Sequence, residues 1–496
     1  MHERHRPATD TSIDAHYKTI PQAPEDDEGV IPSAAIEEPL DIEDADEASL
    51  AGIQHAHPPP VPSRIRWIHF LLGCAVLLPW NVMITATPYF ISRLEGSPLR
   101  STFSSWLSTS FTFANFFVLA YATTTAKKAS SAKRVWWSTL CLAFLTFLLT
   151  LSTYVHLPTG VFFAFVLLNG IAQATAGSFL QTSVVAIASL FGPGVMQAVM
   201  SGQAAVAIVV SSVQVVSAAT SLHASGELGI ANDGLAEEKS AWAFFGLSTI
   251  FLVVCAGANV LLTRTPEYQA IVAPLDQSWT RRLSGEFNEP LVSQEVPATL
   301  ADTKSQILRI ARKNALYEFA VAYVFVVTLS VFPPLTISVQ PTNPTIHPLL
   351  FSSVHFLVFN IGDFTGRYLC SIPRLLIWSA KRLAMLSAAR TLFIPLFLAC
   401  NITRDPSLPS TPPLINSDLL FMLTMLLFGL GNGYVSSLCM MAAGSLEHNP
   451  RLKGWKEDVD IAATVASFFL VGGLVTGSMM SFAVRAAVCG CNPFRT

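Results

Sequence analysis

Charge is what this 496-residue chain has least of. Only 13% of its residues are Asp, Glu, Lys or Arg, and 51% are hydrophobic. A soluble globular domain carries about a quarter charged residues, so water is excluded as the solvent for most of the chain. The formal net charge of −3 gives no indication of nucleic-acid binding, and no nucleic-acid polymer is expected as a partner. The 8 cysteines supply no disulfide framework. Six of them, Cys74, Cys141, Cys255, Cys370, Cys400 and Cys439, fall in or at the ends of apolar stretches, where cysteine acts as a small hydrophobe. No G-x-x-x-x-G-K-[ST] phosphate loop and no H-E-x-x-H zinc helix occurs, and no His/Cys cluster has metal-ligand spacing. These absences exclude the common ATPases and membrane zinc proteases, and no metal, cofactor or enzymatic activity is expected. A basic start followed by an early apolar core is also missing, so no signal peptide is predicted and the first membrane helix serves as its own insertion signal.

The charges that do occur are gathered into a few segments. Residues 1–63 hold the acidic run Glu25-Asp26-Asp27-Glu28 and the prolines Pro58-Pro59-Pro60, with few apolar residues between them. Such a segment cannot bury enough surface to fold, and it is read as a disordered tail. Beyond it lie apolar stretches at 67–91, 103–125, 136–156, 159–190, 195–221, 241–263, 314–337, 349–370, 383–400, 418–444 and 460–488. Each is about the 20 residues that cross a hydrocarbon core as a helix. The division between the fourth and fifth rests on Gly192-Pro193-Gly194, which should break a helix. The predicted fold is therefore an all-α integral membrane protein of eleven spans. A polar stretch at 264–313 divides it into a six-helix bundle (64–263) and a five-helix bundle (314–496).

Orientation follows from basic residues in short loops. Arg64, Arg66, Lys127, Lys128, Lys133, Arg134, Arg374, Lys381, Arg382, Arg451, Lys453 and Lys456 all fall on the N-terminal side if the span count is odd. The N-terminus is then cytoplasmic and the C-terminus lumenal or extracellular. The 264–313 loop contains Arg281-Arg282-Leu283-Ser284, which suits a basic-directed kinase acting on Ser284, or else is an accidental match in a solvated linker.

The most informative residues are polar ones inside apolar spans. Asp363 and Arg367 stand four apart in span eight, on one helix face that Phe356 and Asn360 extend. Each charge costs roughly 2.5–3.5 kcal/mol at mid-bilayer on insertion scales. They persist if they face a wet cavity, pair with each other, or both, so they either line a solute path or staple two helices. Arg390 in span nine either snorkels or bonds helix ends. In span one, Leu77, Pro79, Trp80 and Asn81 form a kink with a flat aromatic beside it. Trp80 could stack on a planar ring or sit in an interfacial belt. Gln181 in span four needs an amide partner, and taken alone it reads as helix glue.

At these positions the chain resembles the equilibrative nucleoside transporter family. Gly73 to Phe90 (GCAVLLPWNVMITATPYF) is similar to that family's LPWN signature, and Phe359 to Arg367 (FNIGDFTGR) to its FN-x-x-D-x-x-GR. Met200-Ser201-Gly202-Gln203, Phe332-Pro333 and Gly431-Asn432-Gly433-Tyr434 match in order. The resemblance implies a carrier with a six-plus-five layout similar to the major facilitator fold, working by alternating access, with nucleosides and nucleobases as cargo. It implies that Leu77 and Trp80 contact the base and that Gln181 hydrogen-bonds it. Asp363 and Arg367 would hold the ribose hydroxyls beside Asn360, and Phe332 and Phe356 would add apolar walls. Asn81 and Arg390 would be structural or gating. Protons are a further candidate partner, with Asp363 as the site where uptake is proton-coupled. The long acidic N-terminus is in keeping with a fungal or endomembrane member, in a vacuolar or plasma membrane. The competing readings are a carrier of another small polar solute and a membrane receptor or enzyme that transports nothing.

Overall fold

Helix is the secondary structure that satisfies every backbone N–H and C=O within one segment, which lipid demands, and helix is what the chain forms. The computed structural model describes residues 61–100, 102–126, 129–227, 235–275, 300–402, 413–452 and 456–489. The acidic tail up to Pro60 and residues 276–299 of the 264–313 loop, Ser284 among them, lie outside the described residues. Among the described residues no β-strand occurs, only two isolated bridges.

The first span is α1 (Ser63–Thr85), with Pro79 inside it, continued after Ala86 by α2 (Thr87–Arg93). Then come α3 (Phe103–Thr124), α4 (Ser131–Ser152), α5 (Thr159–Phe191), α6 (Pro193–Glu227) and α7 (Leu235–Thr263). The break expected at Gly192 is present. Its φ of 97° is a left-handed conformation that glycine adopts without a Cβ clash. Pro193 then opens α6, where its missing N–H costs nothing. A short α8 (Pro266–Ile271) and the strongly two-faced α9 (Leu300–Lys313) flank the undescribed part of the loop. The second group holds α10 (Ala315–Val331), α11 (Pro348–Leu369), α12 (Ala380–Ala389), α13 (Phe393–Leu398), α14 (Asp418–Ala443) and α15 (Val459–Cys489).

Nine helices among the described residues are long and apolar enough to cross a membrane. The protein is thus a multi-pass integral membrane protein. Two predicted spans are not among the nine. Helix α3 is long enough, but Ser104, Ser105, Ser108, Ser110, Thr112 and Asn115 dilute its apolar surface. The segment predicted at 383–400 is broken into α12, a tight 3-10 turn at Arg390–Leu392 and α13.

Packing follows a repeated order. Helix α1 lies on α6, α3 on α5, and α4 on α7, while α10 lies on α15 and α11 on α14. The contacts are close because glycine sits at the crossings. A Cβ on Gly202 would collide with the Phe70 carbonyl in α1, and one on Gly433 with the Asp363 carbonyl in α11. The seam between the two groups runs mainly between α6 and α11 and between α5 and α15.

The two ends of the bundle are unequally packed. We call the end where α1 begins the proximal end. Near it, residues 182–189 of α5, 435–443 of α14 and 461–467 of α15 are buried without interruption. Toward the other end of the same three helices, buried and exposed residues alternate. The proximal end is the closed one.

Candidate functional site

The span-eight charges pair as their spacing suggested. Arg367 Nε donates to Asp363 Oδ2 at 2.9 Å, and the two side chains are only 6% and 8% exposed. Neither points at lipid: α11 packs them between α14 and α6. From α14, Asn432 Nδ2 donates to Asp363 Oδ1 at 2.6 Å. From α6, the Met200 carbonyl accepts from Arg367 Nη1 at 3.0 Å. The Met200–Gln203 segment picked out in the sequence therefore supplies a backbone acceptor for the guanidinium.

The network continues into the broken span. Asn432 Oδ1 accepts from the Thr328 hydroxyl of α10 at 2.8 Å. That hydroxyl accepts in turn from Arg390 Nη2 at 2.8 Å, while Arg390 Nη1 donates to the Phe428 carbonyl at 3.0 Å. Arg390 does not snorkel. It is 3% exposed, lies where the helix breaks, and places its guanidinium carbon 4.6 Å over the Phe428 ring. One buried carboxylate thus sits in a polar chain running through α6, α11, α14 and α10 to Arg390. Taking such charges out of water costs several kcal/mol each, and only a hydrogen-bonded arrangement of this kind offsets it.

Asn360, one turn from Asp363, donates from Nδ2 to Ser211 Oγ at 3.1 Å and to the Ala207 carbonyl at 3.3 Å, both in α6. Phe332 and Phe356 come together, ring centroids 4.9 Å apart, and Phe332 stacks on Phe359 at 4.2 Å. Phe356 and Phe359 lie on the same helix as Asp363, and Phe332 joins them from the end of α10. Gln181 acts across the seam, its Nε2 donating to Ser467 Oγ in α15 at 2.8 Å. On α1, Asn81 Nδ2 donates to the Leu77 carbonyl at 2.9 Å, one turn back and beside Pro79. Leu77 and Trp80 are half-buried, and the Trp80 ring lies 4.6 Å from that of Phe111 in α3. Among the described residues no hydrogen bond or ring contact joins Trp80 to the Asp363 network. The structure therefore brings Asp363, Arg367, Arg390, Phe332 and Phe356 into one assembly, with Asn360 beside it. It leaves Leu77, Trp80, Asn81 and Gln181 on separate contacts.

Three participants, Asn432, Thr328 and Gln197, were not predicted as site residues. Asn432 stands in the Gly431–Tyr434 segment, which the sequence marked as a family match without giving the asparagine a role. Thr328 and Gln197 carry no signal at all. Gln197 Nε2 donates to the Arg367 carbonyl at 3.1 Å and to Ser201 Oγ at 2.9 Å. Apart from this network, Glu318 of α10 is 1% exposed, and its Oε1 has no hydrogen-bond partner among the described residues. No group of three or more His, Cys, Asp or Glu among the described residues could hold a metal ion.

Comparison of the sequence with known families and relatives gives a consistent assignment. The pattern of the nucleoside transporter family matches residues 166–486. Equilibrative nucleoside transporter 1 of Rattus norvegicus is 27% identical over 478 residues, spanning 87% of this chain and 99% of that protein. Equilibrative nucleoside transporter 2 of Homo sapiens is 28% identical over 475 residues, spanning 84% of this chain and 96% of that protein. Among solved structures, the E. coli fucose:proton symporter FucP aligns with a TM-score of 0.47 at 14% identity, covering 86% of this chain and 93% of that one.

Proposed function

The chain belongs to the nucleoside transporter family, and from that membership we propose that it carries nucleosides, and nucleobases with them, across a membrane by alternating access. The observation that carries the reading is the state of Asp363. Its carboxylate is buried on the seam between helix groups, with one oxygen on Arg367 and the other on Asn432. An ionised carboxylate offers about four lone-pair directions, so two stay free after those bonds. Two adjacent acceptor directions suit the two hydroxyls of a ribose cis-diol, and Arg367 orients the group that accepts them.

In this reading Asp363, Arg367 and Asn360 hold the sugar, and Phe332 and Phe356 form the apolar wall. Leu77, Trp80 and Gln181 meet the base once the central path is occupied. Asn81 shapes the Pro79 kink, and Arg390 holds the broken span against α10 and α14. The two bundles, 64–263 and 314–496, are joined by the 264–313 loop and make eleven crossings, α3 and the α12–α13 segment included. The repeated pairing order within the two groups supports that division. The proximal end is cytoplasmic, as the basic loops suggest, so the closed form described here faces away from the cytoplasm. A tagged protein imaged in cells decides between a vacuolar and a plasma membrane.

The test is uptake of labelled uridine and adenosine into proteoliposomes. Saturable entry, lost in Asp363→Ala while the protein still inserts, is expected. Failure of every nucleoside and nucleobase to enter would remove the proposal. Proton coupling is read from the same assay under a pH gradient. A profile unchanged in Asp363→Asn excludes Asp363 as the proton site.

A further inference from the structure

The proximal end is closed, but it is not solid. Below Arg367 lies a cavity of about 240 Å³ walled by both groups of helices. Arg66, Gly194 and Gln197 line it from one group, and Ser371, Trp378 and His448 from the other. At ~30 Å³ per water it has room for roughly eight waters. Drug-sized pockets begin near 300 Å³, so this one suits a single heterocycle.

Its lining has a definite chemistry. Gln197 is 9% exposed and spends its amide nitrogen on Ser201 and on the Arg367 carbonyl. Its carboxamide oxygen has no hydrogen-bond partner among the described residues, and the residue lines the cavity. The same lining holds a stacked aromatic pair, Trp378 and His448, with ring centroids 3.7 Å apart and planes 14° from parallel. The Trp378 carbonyl accepts from the Tyr317 hydroxyl at 2.7 Å, and His448 Nδ1 lies 3.1 Å from Ser445 Oγ. Burial holds the His448 imidazole below its usual range, with Glu447 opposing. An unpartnered amide acceptor and a stacked aromatic pair in the lining of one cavity suit a flat ring that bears an N–H, which is the chemistry of a nucleobase.

We propose that this cavity is a release subsite, distinct from the Asp363 centre, in which Gln197 Oε1 accepts an N–H of the departing nucleobase while Trp378 walls its ring. The proposal rests on the nucleoside reading above. Gln197 then has two roles. Through its nitrogen it seals the seam under Arg367, and through its oxygen it receives the cargo on the far side of that seal.

Thiol labelling of the purified full-length protein tests it. Ser371→Cys places a reporter in the cavity wall, and Leu376→Cys is a second reporter should the first fail to fold. Wild type, whose neighbouring Cys370 is 2% exposed, sets the background. Uridine and adenosine are expected to slow labelling several-fold, and to do so equally in Ser371→Cys/Asp363→Ala. The half-protecting concentration should rise roughly fivefold with Gln197→Leu, the worth of one net hydrogen bond. Absence of protection in a protein that transports nucleosides overturns the subsite alone. Protection that vanishes with Asp363→Ala assigns the effect to the centre and overturns it too, as does indifference to Gln197→Leu. Loss of transport activity in wild type defeats the nucleoside reading instead, and uptake that survives Asp363→Ala defeats the central site while the labelling result still decides the cavity.

Discussion

Asp363 illustrates how a buried charge is kept available. Arg367 and Asn432 each take one oxygen, so neither is bare and neither is saturated. Asn432 matters doubly, because its own oxygen receives the Thr328 hydroxyl that also serves Arg390. We expect Asn432→Ala to lower the rate of nucleoside uptake at limiting concentration by about tenfold. One unsatisfied buried polar group costs roughly 1–3 kcal/mol, and about 1.4 kcal/mol is a factor of ten. Uptake within twofold of wild type would show that the asparagine only fills space. Glu318 presents the opposite case, a buried carboxyl with a bare oxygen. An amide is less costly to bury without partners than an ionised carboxylate. Glu318→Gln should therefore raise the thermal midpoint of the purified protein at alkaline pH, where the carboxyl is driven to ionise, and a fall there would mean that the carboxyl holds a bond in the working molecule.

At the scale of elements, the site depends on α11 and α14 touching backbone to backbone. A Cβ at Gly433 would strike the Asp363 carbonyl and crowd the Arg367 amide, whereas one at Gly257 would meet nothing within 4 Å. Gly433→Ala should abolish uptake and broaden the protein's gel-filtration peak, while Gly257→Ala should behave as wild type. Equal behaviour of the two would separate the site from this crossing. Much of the element order was legible in the chain. Asp363 and Arg367 declare themselves because they are neighbours along one helix, and periodicity reports such neighbours. Gly192 and Pro193 announce a break through backbone stereochemistry alone. The same rules are blind across helices. Asn432 reaches Asp363 over 69 residues and Thr328 over 104, and Gln181 finds Ser467 over 286. Nothing local encodes those meetings; they follow from which helix faces pack. The break at Arg390 was hidden for the same reason, since its polar partners lie on α10 and α14.

For the molecule as a whole, the question is what keeps the proximal end shut and how firmly. Helix α9 lies across it. Its Ile307 and Ile310 pack with Leu452, Ile461 and Val465, and the helix touches α3 of the first group as well as α15 of the second. Gln306 Nε2 and Arg309 Nη2 both donate to Asp458, at 2.6 and 2.8 Å, and that carboxylate is 4% exposed. A strap fixed to both groups must loosen before they can rock apart at this end. Hydrogen bonds to a charged group contribute roughly 1.5–3 kcal/mol each, and a two-state equilibrium moves tenfold for every 1.4 kcal/mol of differential stabilisation. Asp458→Ala removes both bonds without touching the path near Asp363. It should therefore favour the form open at the proximal end and speed solute-free labelling of a Ser189→Cys reporter, at a position buried near the proximal end of α5, by well over tenfold. Unaltered labelling, with the variant folded and transporting, would make α9 a passenger on the bundle and move the lock to the direct contacts of α5 with α15 and of α6 with α11.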